Sequence, residues 1–321
     1  MRQMKDHEGQ RSGAAPKAPQ AAPSQLSFAS FWAGQGVPAL DKACLLSFAS
    51  HGHPVTLYSF EAVESLPDGI AVRDAREIAP LAPMDAFLYE GKPNVAHFSD
   101  YFRYLLLQRT ECVWIDTDML MLRPLDFGPV STLLARETDK SICNAIMRIP
   151  SNDPALGAVI RRAERLMGTD LVWGATGPRL LTQVLGAAAV LKQTHPPGRF
   201  FPVHYDDFWK PFLPECAQEC ADACRDAYTL HLWNHRVVRM GVWKEVAPPE
   251  GSFLWTCLRD RGLLPLFRHT YPADVMRHLV ENWKFRKSGA DVGLTNLARQ
   301  ALPSVLRTMA PRIRALMQRR R

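Results

Sequence analysis

Residues 112–122, CVWIDTDMLML, set Asp116 and Asp118 two positions apart inside an otherwise apolar run. Like charges in such a run are costly to bury unless something compensates them. Val113 and Ile115 read as strand, where side chains at i and i+2 share a face. If extended geometry continues past Ile115, the carboxylates converge at the strand's C-terminal end. In an open α/β sheet that end is where ligands bind. Two carboxylates there repel each other unless a cation lies between or near them. Hard oxygen donors select Mg2+ or Mn2+, and such ions keep positions open for substrate phosphates. The chemistry expected is therefore binding of a metal-held phosphate or diphosphate.

An acid pair of this spacing is a weak signal alone, and its neighbours give it value. A helix expected over about Ala96–Gln108 feeds directly into the acidic strand. It carries Asp100 and Arg103 three apart, hence on one face. The pair could aim an acceptor and a cation at the same ligand. A surface ion pair is the plainer reading of that spacing.

The elements that must position these groups are legible in outline. LSFASFW reads as a first strand and GQGVP as a loop. PALDKACLLSFASHG then reads as a helix, with Pro38 at its start and Gly52 near its end. HPVTLYSF reads as a second strand. Strand, helix and strand make a βαβ unit, so a parallel sheet is the default. ATGPRLLTQVLGAAAVL reads as a helix with Pro178 in its first turn, and YTLHLW as a late strand.

Composition narrows the class. At 47% hydrophobic and 22% charged, the chain is an ordinary globular protein rather than a membrane or disordered one. The net charge of +7 hints at nucleic acid, but seven arginines and no acid lie between Thr295 and Arg321, so the remainder is neutral. A nucleic-acid-binding body is not expected. Leu302, Val305, Leu306, Met309, Ile313, Leu316 and Met317 fall roughly on one helical face of that tail. It suits either an anionic membrane surface or a helix packed on the body. Residues 1–25 are polar and Ala/Pro-rich, expected to be disordered, and lack the apolar run of a signal peptide. The chain is therefore expected in the cytoplasm, at most peripheral on the inner face of the plasma membrane. Cys216, Cys220 and Cys224 recur every four residues, and core-facing thiols are preferred to a zinc site.

FSDYFRYLLLQRTECVWIDTDMLMLRPL resembles the DxD-containing sugar-binding region of retaining glycosyltransferases. That family includes yeast α-1,6-mannosyltransferases and α-1,4-galactosyltransferases. Its pattern, Asp-x-x-Arg helix, apolar strand, Asp-x-Asp and Pro-Leu turn, is supplied by Asp100, Arg103, Asp116, Asp118, Pro124 and Leu125. RTEC replaces the family's glycine pair before the strand. SFWAGQG, GATGPRLLT and LHLWN resemble further family segments, so the resemblance spans about Leu26 to Leu263. It implies an α/β, GT-A-like, Rossmann-type open mixed sheet flanked by helices over residues 26–270, with 271–321 as a helical basic extension. It implies a nucleotide-sugar donor, UDP-hexose before GDP-mannose, a glycan or glycolipid acceptor, and Mn2+ or Mg2+. By position, Asp118 would hold the metal on the diphosphate. Asp116 would meet the ribose or a metal-bound water. Asp100 and Arg103 would bind the sugar or phosphate, and Trp32 would stack on the base. His231 is a further candidate metal ligand, with Asn234 as the alternative. Gly177 and Pro178 would form a pocket wall by close backbone approach. Trp173 is either an acceptor platform or a core residue.

Two other readings stay open at this level. Haloacid dehalogenase-type phosphatases also follow an apolar strand with DxD, using the first acid, here Asp116, as nucleophile. Asp206 and Asp207 would then be the later acidic pair, although Leu120 and MLRPL fit that motif poorly. The other is a non-catalytic sugar- or membrane-binding protein, which would keep paired carboxylates at a cost and for no purpose.

Overall fold

The computed structural model describes residues 26–125, 132–186 and 193–288, together with 301–303, 306, 309 and 310. β1 (Phe28–Trp32), α1 (Ala39–Ser50) and β2 (Val55–Ser59) form the expected βαβ unit. Pro38 enters α1 from extended backbone, and Gly52, at φ 83°, supplies the left-handed turn after it. β3 (Ile70–Asp74) follows, then α2 (Val95–Arg109), whose first turn is capped by the Asn94 side chain accepting from the His97 amide at 3.1 Å.

Next come β4 (Val113–Ile115), β5 (Met119–Met121), β6 (Leu133–Thr138) and β7 (Ser141–Arg148). α3 (Pro154–Glu164), α4 (Pro178–Leu185), β8 (Thr229–His231), α5 (Asn234–Met240) and α6 (Ala273–Lys287) complete the elements that matter for the site. The main sheet runs β3-β2-β1-β4-β7-β6. β3, β2, β1 and β4 are parallel, whereas β7 is antiparallel to both β4 and β6. The sheet is thus mixed, an α/β fold of GT-A-like Rossmannoid architecture.

Both faces are covered, which is why the central strands are apolar throughout. Phe28, Leu57, Val113 and Ile115 pack against Leu45 and Phe48 of α1. Phe31, Trp114 and Met147 pack on the other face against Phe98 and Phe102 of α2, Leu156 of α3 and Leu181 of α4. A third cluster buries Met276 and Val280 of α6 with Leu120, Leu230 and Phe212.

The acid pair sits where the chain leaves the main sheet. After Ile115 the strand does not continue; Met119 donates its amide to the Asp116 carbonyl at 3.2 Å, closing a turn. β5 then joins β8 in a separate antiparallel ribbon, with Met119 opposite His231. The extended geometry expected past Ile115 is therefore a turn, and the turn brings the two aspartates together.

Other expectations resolve simply. The helix over α4 ends at Leu185, and residues 187–192 lie outside the described ones. Cys220 and Cys224 are buried, Cys216 is half-buried, and every cysteine is a free thiol, as core-facing residues would be. The N-terminal segment and tail residues Val305, Ile313, Leu316 and Met317 are outside the described residues; Leu302, Leu306 and Met309 are exposed. Among the described residues no helix is long and apolar enough to cross a membrane.

One buried hydroxyl ties α1 to the ribbon that carries the acids. Ser47 Oγ donates to the Cys44 carbonyl and accepts the Met121 amide at 2.7 Å. Ser47→Ala should orphan that amide and cost about 1–3 kcal/mol, read as a lower urea midpoint at unchanged m. A midpoint equal to that of the unaltered protein would show that the amide finds another partner.

Candidate metal and donor site

A cleft of about 450 Å³ opens at the C-terminal ends of β1 and β4, lined there by Ser30, Phe31, Trp114 and Asp116. Its size is within the range of small-ligand pockets, about 300–1,000 Å³. Asp116 follows Trp114 on the α2 face of the sheet. Trp114 Nε1 and Arg103 Nη1 both donate to Asp116 Oδ1, at 2.7 and 2.9 Å. The other oxygen of Asp116 accepts no protein hydrogen bond among the described residues.

Arg103 is 4% exposed, so its charge needs full compensation. Besides Asp116 it pairs with Asp100 at 2.9 Å and donates to the Asn144 carbonyl at 2.7 Å. Its guanidinium lies 4.6 Å from the Trp114 ring centroid. The helical pair Asp100 and Arg103 is thus buried in the cleft, and the surface ion-pair reading falls. Asp100 is held on three sides, by Arg103, by Asn144 Nδ2 at 2.7 Å and by Thr176 Oγ1 at 2.8 Å. His97 Nδ1 lies 2.7 Å from Thr176 Oγ1. Because that hydroxyl donates to Asp100, Nδ1 carries the hydrogen. His97 Nε2 is left buried with no hydrogen-bond partner in the cleft wall.

Asp118 turns to the opposite side. Its Oδ2 accepts the Asn234 amide at 2.6 Å and lies 3.3 Å from His231 Nε2. Ligand atoms of Asp116, Asp118 and His231 all fall within 4.8 Å of one another, close enough to share one metal ion. His231 Nδ1 is buried without a partner. Burial pushes the Asp116 carboxyl upward despite Arg103. Burial pushes Asp118 upward too, but His231, the Asn234 amide and Lys244 outweigh it and hold it below the usual carboxylate value. Burial opposes the His231 charge, and Asp118 and Asp116 overcome this and raise it. A divalent cation fits this set: it would offset the charge of the two carboxylates, with the imidazole as a neutral third ligand.

Trp233 shapes this side. It adopts left-handed backbone, φ 55° and ψ 57°, unusual for so bulky a residue. Its Nε1 donates to the Val203 carbonyl at 3.1 Å, and the kink points the Asn234 amide at Asp118. The Asn234 side chain faces elsewhere, donating Nδ2 to Asp41 Oδ1 at 3.1 Å. Of the two candidates for completing the metal set, the geometry brings His231 into the cluster and gives Asn234 a backbone role.

The remaining expected residues are distributed as follows. Gly177 approaches closely, but against Asp100: a Cβ there would sit 2.7 Å from Asp100 Oδ2 and 3.0 Å from Asn144 Nδ2. Gly174 and Pro178 line the cleft. Trp32 is not among the lining residues; its half-buried indole carries the Lys244 ammonium 5.5 Å from the ring centroid. Trp173 is 43% exposed, which rules out the core reading, and stacks on His235 at 4.2 Å. Asp206 and Asp207 lie outside the cleft and pair with Lys287 and Lys210. The acidic pair that a phosphatase needs beside Asp116 is therefore spent on surface lysines.

Several functional residues carried no readable signal. Asn144 and Trp114 look like ordinary members of strands. Thr176 could have been suspected from its place before Gly177–Pro178. Asp41 looked like an acid in a helix's first turn, yet it is 1% exposed. It accepts from Thr117 Oγ1 at 2.9 Å and pairs with Lys244 at 2.6 Å, fixing the turn between the two acids.

Arg103→Met should leave Asp100 and Asp116 facing each other unpaired and destabilise the fold by about 3–5 kcal/mol. Thermal melting checks it; an unchanged midpoint would show that the acids find another cation. Gly177→Ala should force apart a carboxylate that three donors hold, costing about 1–3 kcal/mol. The melting midpoint of that variant should fall, and an unchanged midpoint would show that Asp100 can move aside.

Residues 169–246 match the family described as the alpha 1,4-glycosyltransferase conserved region. That span holds His231 and Asn234 but not the acid pair. The chain is 23% identical over 151 residues to lactosylceramide 4-alpha-galactosyltransferase of Pongo pygmaeus, covering 43% of this chain and 67% of that protein. Among solved structures, PaToxG glycosyltransferase aligns at 16% identity and a TM-score of 0.40, over 53% of this chain and 73% of its own. The apo WbbM bifunctional glycosyltransferase aligns at 10% identity and a TM-score of 0.43. Here the chain spans half of that protein, with 76% of this chain covered and 50% of the other. The mixed sheet, the matched segment and the clustered acids together make this a GT-A-like glycosyltransferase fold with a candidate Asp–Asp–His metal site.

Proposed function

We propose that the protein is a metal-dependent retaining glycosyltransferase that moves a hexose from a nucleotide-diphosphate sugar, UDP-hexose before GDP-mannose, to a glycan or glycolipid. The observation that carries this is the Asp116–Asp118–His231 cluster at the strand ends, beside a third acid, Asp100, that a buried arginine orients. Asp116 keeps one oxygen free of protein donors, and that oxygen is the one offered to a cation. The imidazole tilts the set from Mg2+, which prefers oxygen and gives up water reluctantly, towards Mn2+. When bound, such an ion would neutralise the diphosphate charge that grows as the sugar leaves.

The chain's own residues do the rest. Arg103 is positioned by Asp100, Asp116 and the Asn144 carbonyl before substrate arrives, so its field needs no reorganisation. A carboxylate offers about four acceptor positions, and three protein donors fill three at Asp100. The remaining one suits a sugar hydroxyl. His97 Nε2, a buried acceptor in the cleft wall, suits a second. Trp32 follows Phe31 at the end of β1 and is the candidate for stacking on the base. Asp100 and Asp116 are both tied to Arg103, which blunts either as a covalent nucleophile. We therefore favour same-face attack by the acceptor hydroxyl, its proton passing to the departing phosphate oxygen.

A panel of nucleotide sugars offered with Mn2+ tests the reading through release of free nucleotide. The preferred donor should be hydrolysed slowly without acceptor, and EDTA should abolish this. Asp118→Asn should fold normally and lose about two orders of magnitude or more in turnover. Undiminished turnover in that variant, or hydrolysis of simple phosphate esters instead, would refute the assignment.

A further inference from the structure

A second cavity, of about 490 Å³, adjoins the donor cleft and shares Trp173, His235 and Arg236 with it. Its chemistry is the reverse of the cleft's. Arg236 and Arg239 reach it from α5, and Arg286 and Lys287 from the last turn of α6. One carboxylate answers them: Asp206 lies 2.6 Å from Lys287 and 3.6 Å from Arg236. Arg239 and Arg286 form no ion pair among the described residues. Arg286 instead donates to the Arg239 carbonyl at 2.9 Å, and Arg239 Nη1 lies 3.5 Å from His235 Nε2. Arg239 Nη1 can only donate, so His235 Nε2 is the acceptor of this contact.

A basic residue in a helix's last turn is ordinary by itself, since it complements the dipole. Convergence of such residues from two helices onto one cavity is not explained that way. Arg239 and Arg286 are both exposed and solvated, and their shared approach to one cavity gives it a positive potential that an anionic ligand would meet. Trp173, exposed with His235 stacked on one face, and the half-buried Trp283 also line the cavity, aromatic surface of the kind that contacts sugar rings. Guanidinium forks match phosphate and carboxylate oxygens in pairs.

We infer that this groove holds the acceptor, and that the acceptor is an anionic glycan, carrying a phosphate or carboxylate that Arg239 and Arg286 bind while a ring stacks on Trp173. This rests on the glycosyltransferase reading. The donor's own diphosphate is assigned to the acid cluster, so an anion in the groove belongs to the other substrate.

Tryptophan fluorescence or calorimetry can follow trigalacturonate, glucose 1-phosphate and neutral maltotriose, each titrated with UDP and Mn2+ present. At least one anionic probe should bind about tenfold or more tighter than maltotriose, weakening with salt. The two anions separate an acidic sugar from a sugar phosphate as the source. Arg239→Ser combined with Arg286→Ser should remove about tenfold of that affinity while leaving UDP–Mn2+ binding and the melting midpoint unchanged. Equal binding of maltotriose, or anion binding that survives the double variant, would overturn the inference. So would phosphatidylglycerol vesicles bound through the same arginines without discrimination among the sugars, which would make the groove a membrane contact. A protein that binds neither UDP nor GDP with Mn2+ would instead sink the donor reading, and the acceptor assignment with it.

Discussion

The site depends on one buried cation. Arg103 lies between Asp100 and Asp116, which come from different elements, α2 and the end of β4. Without it, both carboxylates would be held in a low-dielectric wall with only neutral donors to offset their charge. With it, two of the three cleft acids are oriented and neutralised in part, and Asp118 is left to His231 and the Asn234 amide. The arginine also reaches the Asn144 carbonyl on β7, so the central strands and α2 are locked at one point. Fold and chemistry share that lock, and neither can be altered there without the other.

A second lock lies beneath the acids. Asp41 of α1, almost fully buried, gathers Thr117, Asn234 and Lys244. Thr117 sits between the two aspartates in sequence, and Asn234 presents its amide to Asp118. The short turn is therefore fixed from below as well as from the side. Burial raises the Asp41 pKa, and Lys244 opposes that shift. Such paired polar groups add little net stability over an apolar packing, but they are sensitive to position, which a metal site requires.

The two cavities meet at Trp173, His235 and Arg236 and differ in sign. An acidic floor lies next to a groove lined by Arg236, Arg239, Arg286 and Lys287. The stacked Trp173 and His235 rings mark the boundary.

Periodicity and local composition made much of this legible. The βαβ start, the α2 helix, the short acidic strand and the proline at the head of α4 could be read from residue spacing, because apolar repeats and backbone stops are local properties. The spacing of Asp116 and Asp118 pointed to a metal-held phosphate for the same reason, and the resemblance to DxD glycosyltransferases added Asp100 and Arg103. What spacing could not show was contact across long sequence separations. That Arg103 is buried rather than a surface pair, that His231 reaches the acids through an antiparallel ribbon, and that Asp41 underpins Thr117 are products of packing. Even the convergence of Asp116 and Asp118 was reached by a turn instead of a continuing strand. The sequence determined which charged groups exist and which helix or strand carries each; only the tertiary structure decided which of them share a buried volume, because electrostatic partners are set by distance in space, and a low-dielectric interior makes that distance count.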